Sequence, residues 1–285
     1  MDTQLFECII KYANLKVPNK RKPIYTTEYY LTNIIDMLTD FVKWSSLKKS
    51  KNSKGEATYH YKTIAAKHNL WSDNGVYENA YVECVQKKNI PDGSTYIELF
   101  IDSTLIINKS GIECIGYGTS CKKKKFTKLT ALSSLDTKNV AIIVDKVYDK
   151  DIKIDDGSDE KKYKKISTLS HDVKNVEPVI ENLRKIIPQE RKIKLYGDKG
   201  YVMSSNDKKE LNKKHNVKVI HCKRINQKEK NTKKEEETLK ERYKVENMFT
   251  AIKSFNRIHI RRDKKISTYL GFVYLGCILK FGSIS

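Results

Sequence analysis

Three acidic side chains stand in stretches whose pattern gives them special settings. Asp102 interrupts residues 96–107 (YIELFIDSTLII), a β-prone run apolar on both sides. A central strand has no cheap site for an unpaired carboxylate, so Asp102 is either a strand-end acid reaching solvent or a metal ligand. Asp198 lies at the end of a shorter run, 192–201 (KIKLYGDKGY), where Gly197 and Gly200 free the backbone as a tight strand-to-helix turn demands. Glu246 follows Arg242 by 4 residues and precedes Lys253 by 7. At roughly 100° per residue, these three fall within about 40° of one another on one helical face. Taken by itself, that face is an exposed Arg–Glu pair worth about a few tenths of a kcal/mol. His171 beside Asp172 has the parts for acid–base chemistry, although a loop contact is the simpler reading. Trp44 and Trp71 read as packing residues, with base stacking as the functional alternative.

The elements that must carry these acids show in the apolar pattern. The runs 96–107, 126–136 and 139–145 predict three successive strands, with Asp136-Thr137-Lys138 as a hairpin turn and an antiparallel meander as the result. Residues 175–187 predict an amphipathic helix with Val176, Val179, Ile180, Leu183 and Ile187 inward. A strand ending on Asp198, a helix over 207–215 and a strand over 217–222 follow. This order predicts a ribonuclease-H-like α/β core, a mixed sheet with flanking helices. The last helix of the pattern, 239–255, turns Tyr243, Val245, Met248, Phe249 and Ile252 inward. Ahead of the core, residues 1–95 predict a small helical domain. There Thr26 or Thr27 caps a helix with Leu31, Ile34, Ile35, Leu38 and Phe41 on one stripe. Helices over 61–68 and 74–87, joined by a turn at 70–75, have helix-turn-helix spacing that lets one of them enter a DNA major groove. A helical cap without DNA contact fits the same pattern. The expected domains are 1–95 and 96–285.

Composition narrows the partners. The 285 residues carry 56 Lys and Arg against 35 Asp and Glu, a formal net charge of +21, of which +17 falls in 96–285 and +4 in 1–95. A polyanion is the expected partner, nucleic acid before an anionic membrane. The bias to Lys, Asn, Ile and Tyr also matches an AT-rich genome. Charged runs at 120–125, 149–165 and 226–241 predict solvated loops. Six cysteines, at 8, 84, 114, 121, 222 and 277, lie scattered without a CxxC pair. That suits reduced thiols inside a cell, cytoplasmic or nuclear according to host, rather than a disulfide framework or zinc cluster. The start, Met1-Asp2-Thr3-Gln4, shows no basic segment followed by a long apolar run, so no signal peptide is expected. The most apolar stretch, 269–279 (YLGFVYLGCIL), has 11 residues against the roughly 18 or more of a membrane-crossing helix, and predicts a core helix covering the sheet.

From about residue 56 to the C-terminus, the chain resembles the DDE transposases of bacterial-type insertion sequences. The matching residues are Asp102-Ser103-Thr104, the run from Lys125 through Lys128 to Leu132, His171-Asp172, and Tyr196-Gly197-Asp198-Lys199-Gly200-Tyr201. Arg242-x3-Glu246-x6-Lys253 then follows, with Phe255-Asn256-Arg257-Ile258 and Arg261-Arg262 after it. Residues 71–77 (WSDNGVY) resemble the helical N-terminal segment of the same family. The acids are spaced by 96 and 48 residues. Leu239 stands where the family usually has Tyr, and Thr130 where it often has His.

The resemblance implies phosphodiester chemistry on two Mg²⁺ ions ~4 Å apart, with Mn²⁺ able to substitute, held by Asp102, Asp198 and Glu246. It implies Arg242 and Lys253 on DNA phosphates near the scissile bond, with Lys199, Lys128, the run 122–125, Arg261 and Arg262 as further DNA contacts. The expected activity is hydrolytic cleavage of double-stranded DNA at element ends, then transfer of the freed 3′-hydroxyls into target DNA. A homodimer on DNA, no nucleotide cofactor and no membrane partner are also expected. A non-catalytic DNA-binding descendant and a nuclease without strand transfer are the alternatives.

Overall fold

The computed structural model describes residues 3–18, 25–40, 43–47, 60–91, 96–118, 121–144, 147–154, 162–169, 171–222 and 230–282. The chain divides into two compact units: Met1–Asn89 with Phe249–Ser285, and Ile90–Met248.

The first unit is helical. It begins with α1 (Thr3–Lys16), α2 (Thr27–Thr39), α3 (Tyr61–Asp73) and α4 (Val76–Tyr81), which runs through a π-type segment (Val82–Gln86) into the single turn α5 (Lys87–Asn89). The Thr26 hydroxyl caps α2 by accepting from the Tyr29 N–H. Leu31, Ile34, Met37 and Leu38 are buried, Ile35 is half-buried, and Phe41 lies outside the described residues. α3 continues through Asp73, so four residues of the turn expected at 70–75 are helical and Asn74 and Gly75 alone separate α3 from α4. However, every residue of α4 is buried or half-buried, with Val76, Tyr77, Ala80 and Tyr81 in the core. A recognition helix needs an exposed polar face, and α4 has none to offer a major groove.

The second unit is the α/β core. It is built from β1 (Tyr96–Asn108), β2 (Gly116–Gly118), β3 (Cys121–Ser134), β4 (Asn139–Val144), β5 (Val147–Ile154), β6 (Lys162–Leu169), α6 (Val176–Arg184), β7 (Lys192–Gly197), α7 (Ser205–His215), β8 (Val217–His221) and α8 (Lys233–Lys240). The central strands run in the order β4-β3-β1-β7-β8. β1 pairs antiparallel with β3, and β3 with β4, which is the expected meander; β7 lies parallel to β1, and β8 parallel to β7. Three antiparallel strands extended by two parallel ones is the ribonuclease-H-like sheet. One face packs on α6, whose Val176, Val179, Ile180 and Leu183 are buried with Ile97, Leu99, Leu195 and Val219. Burying each such side chain contributes about 1.5–3 kcal/mol.

All three charged runs expected as loops contain ordered elements instead. β5 and β6 form an antiparallel hairpin through much of 149–165, with Asp151 in register with Lys165. The pairing is made by backbone groups, so a charged sequence does not exclude it. Residues 233–240 are helical, started by a capping box between Thr232 and Glu235. Residues 155–161 and 226–229 of those runs lie outside the described residues. Of the run 120–125, Ser120 is likewise outside, and residues 121–125 form the start of β3.

The helix expected over 239–255 is broken: α8 ends at Lys240, and α9 spans Tyr243–Lys253. The break changes the phase of the apolar stripe, leaving Tyr243 exposed at 55% while Val245, Met248, Phe249 and Ile252 stay buried. After α10 (Asn256–His259), α11 (Ile266–Phe281), expected as a cover of the sheet, belongs to the helical unit and packs on α3 and α4 there. It is apolar all round, as a helix enclosed by other helices must be. A Cβ at Gly271 would stand 2.2 Å from the Ser72 hydroxyl, so only glycine admits that approach. Among the described residues, no helix is long and apolar enough to cross a membrane.

Candidate active site

Parallel pairing of β1 with β7 brings the two aspartates together. Its last registered pair is Phe100 with Tyr196, and each acid lies two residues further along its own strand. Side chains alternate with period 2, so Asp102 and Asp198 continue one row. Asp198 follows β7 directly and accepts the Gly200 N–H at 2.7 Å, capping the single turn Lys199–Tyr201. A Cβ at Gly200 would lie 2.8 Å from Asp172 Oδ2 and 2.9 Å from Asp198 Oδ1. The glycine therefore lets two carboxylates crowd one backbone position, which is the job the strand-to-helix turn required of it.

The third acid arrives on the first turn of α9, with Arg242 just ahead of the helix. Arg242 Nη1 donates to Asp102 Oδ2 at 3.2 Å, and its Nη2 lies 3.1 Å from Glu246 Oε1. The other Asp102 oxygen accepts the Ser103 N–H at 2.8 Å. One guanidinium thus links two acids that are 144 residues apart in the sequence. Asp102 is 19% exposed and Glu246 56%. Burial pushes the Asp102 carboxyl up to about 6; the Ser103 N–H and Arg242 oppose that rise, while Asp198 and Glu246 add to it.

A hydroxyl network backs the strand that carries Asp102. Ser103 Oγ is bonded to Thr130 Oγ1 at 2.7 Å and to the buried Tyr201 hydroxyl at 2.9 Å. It joins β1, β3 and the turn after β7. Thr130, standing where the resembled family often has His, is a member of this network. Burial, with Asp172, Asp102 and Asp198 adding to it, raises the Tyr201 hydroxyl and keeps it protonated. Asp172 is a fourth carboxylate at the site: beside Gly200, it pairs with Lys128 Nζ at 2.6 Å. Sequence reasoning took Asp172 for a loop contact. Its only signal was adjacency to His171 in the matched motif.

The expected DNA contacts fall in different places. Lys199 is exposed on the turn that Asp198 caps, and Lys125 is exposed on β3, whereas the side chains of Lys122–Lys124 lie outside the described residues. Lys128 is buried against Asp172, which makes it a support of the site rather than a free phosphate contact. Arg261 is fully buried, its guanidinium donating to the Asp263 and Lys264 carbonyls, so it does not reach DNA. Such a head group fills the polar needs of its own loop. Lys253 and Arg262 are half-buried, and burial lowers the Lys253 ammonium.

The donor set fits a hard divalent cation. It consists of carboxylate oxygens only, and one carboxyl is pushed up in part by the charge of the other two. Among the described residues, the ligand atoms of Glu177, Glu181 and His215 all lie within 4.8 Å of one another. Asp102, Asp198 and Glu246 are spread more widely, with the Arg242 guanidinium bonded to two of them.

No protein-family profile matches the chain, and no curated protein matches it. Among solved structures, it is similar to a piggyBac transposase in a synaptic complex with hairpin DNA, with a TM-score of 0.53 and 11% identity, over 96% of this chain and 71% of that one. At that identity the likeness is one of fold: the chain has a ribonuclease-H-like fold shared with a transposase structure.

Proposed function

We propose that this protein is a DDE-type DNA transposase with Asp102, Asp198 and Glu246 as its metal-holding acids. The observation that carries the reading is the meeting of Asp102 and Glu246 on Arg242, with the Asp198 charge close enough to help raise the Asp102 carboxyl. Mg²⁺, or Mn²⁺ in its place, would be held by those carboxylates and would supply Lewis-acid polarisation of the phosphodiester. The protein's own groups do the rest. Asp102 and Asp198 are held by the Ser103 and Gly200 N–H groups, so the row of acids is set before DNA arrives. Ser103, Thr130 and Tyr201 tie together the backbone behind them. Arg242 has a phosphate-matching fork, and a DNA phosphate near the scissile bond would draw it from Glu246. Lys199 stands exposed on the turn beside Asp198 for the same backbone.

The reaction would be hydrolysis at an element end followed by attack of the freed 3′-hydroxyl on target DNA. The similar structure is a synaptic complex with hairpin DNA. Carried over, that supports action on paired DNA ends, and the family resemblance adds at least a dimer on DNA. The assignment to a bacterial-type insertion sequence rests on the matched motifs from Asp102 to Arg262.

The test uses the gene's native genomic fragment with both flanks as labelled substrate, incubated with protein and Mg²⁺ or Mn²⁺, with Glu246→Gln as control. Breaks at paired inverted sequences, absent in the variant, are the expected result. Tight binding without a break in either metal would overturn the catalytic reading in favour of a DNA-binding descendant. Cleavage without joined products would favour a nuclease.

A further inference from the structure

We propose that Glu177, Glu181 and His215 form a second metal site, of the zinc class, that ties α6 to α7. Glu177 and Glu181 are four residues apart on α6 and so share a face. His215 is the last residue of α7 and is 94% buried, being only 6% exposed. Its Nε2 has no hydrogen-bond partner of ordinary geometry, yet it lies 3.4 Å from Glu177 Oε1. That contact has the length of a long ion pair rather than of a short hydrogen bond, so an ion between the two groups would draw on both. Two ligands bound at about 2.1 Å at a tetrahedral angle stand about 3.4 Å apart, which is the observed separation.

The residue is pre-set for this. Arg184 donates to the His215 carbonyl, and the following Asn216 closes α7 in a left-handed conformation, with its N–H on Asn212 O at 2.8 Å. Glu177 also lines an open groove, together with Met203, Asp207, Leu211 and Lys214. One nitrogen and two carboxylates, with room for a water, suit Zn²⁺ better than Mg²⁺, which favours all-oxygen octahedra. Lys214 marks where positive charge is wanted: its ammonium spans Glu177 at 2.6 Å and Glu181 at 3.2 Å. That side chain is well exposed and can swing aside, so it competes with an ion rather than replacing the imidazole's missing partner.

The cluster is separate from the acids of the proposed active site. β7 and β8 are paired from Ile193 with Val217 to Gly197 with His221. His215 precedes one end of that ladder and Asp198 follows the other, on the order of 15 Å of strand apart.

The experiment uses the full chain carrying Asp198→Asn and Glu246→Gln, so that binding is read without the proposed catalytic acids. Zn²⁺ is titrated against a chromogenic chelator, with Mg²⁺ as comparison, and Co²⁺ absorption reports the geometry. One Zn²⁺ per chain is expected. Glu181→Gln, an exposed change that leaves the fold alone, should weaken it by at least the roughly 10-fold that loss of an outer-sphere partner costs. His215→Asn should abolish binding, and Lys214→Ala should tighten it. No bound equivalent, or binding unmoved by Glu181→Gln and Lys214→Ala, would overturn the site.

Discussion

Arg257 with Asp263 in the helical unit, and Arg242 with Asp102 in the α/β unit, are both guanidinium–carboxylate pairs, and they differ in what surrounds them. Arg257 and Asp263 are 3% and 4% exposed, and the guanidinium also lies over the Phe272 ring, 4.9 Å from its centroid. Burial lowers the Arg257 group and raises the Asp263 carboxyl, each opposed by its partner's charge. Separating them would leave two buried charges. Arg242 is 28% exposed and is shared between Asp102 and Glu246. The first pair is fixed by its surroundings; the second can open at small cost, which a site that must admit a cation and a phosphate requires.

Four measurements bear on that contrast. The largest effect is expected from Asp198→Asn, which should abolish strand cleavage while leaving the melting temperature near wild type and DNA affinity equal or higher. Retained metal-dependent cleavage would sink the assignment of the acids. Next, Asp263→Ala should destabilise the chain by about 3–5 kcal/mol by stranding Arg257, as denaturant titration would read. A cost under about 1 kcal/mol would erase the difference between the pairs.

The third measurement concerns pH. The Asp102 carboxyl is raised to about 6 from 3.8, so the folded state binds its proton more tightly than the unfolded one. Its contribution is therefore full below about pH 4 and lost as pH rises through 6, up to about 3 kcal/mol in all. Asp102→Asn should raise stability at pH 7.5 relative to wild type and change it little at pH 4. Equal shifts at both values would show that Asp102 does not titrate in this window. The smallest effect is on stability in Arg242→Gln, expected within about 1 kcal/mol. The same variant should lower the log–log salt slope of DNA binding by about 1, as loss of one phosphate contact does.

The central sheet was legible because each of its strands is a short apolar run bounded by turn residues. β1, β4, β7 and β8 lie within a residue or so of their expected bounds, and α6 turns inward the side chains its periodicity names. β5 and β6 were hidden, since their Lys- and Asp-rich sequences carry little apolar pattern. α8 had a readable start in Thr232 and Glu235, a signal the charge around it masked. The neighbours of α11 could not be read: its all-round apolar surface says that it is enclosed, not by what. Arg261, a motif match, is a loop support for a similar reason. Its type and position leave open whether a guanidinium faces DNA or its own backbone.

By itself, then, the sequence determined the order of the central strands with α6 and α7, and the local settings of Asp102, Asp198 and Glu246, because hydrophobic periodicity and turn chemistry act over a few residues. Tertiary structure alone decided the partners of those acids. Arg242 between Asp102 and Glu246, Lys128 on Asp172, and the His215 imidazole beside Glu177 depend on side chains far apart in sequence meeting within a few ångströms. Charge interactions follow distance and burial, and neither is written in spacing along the chain.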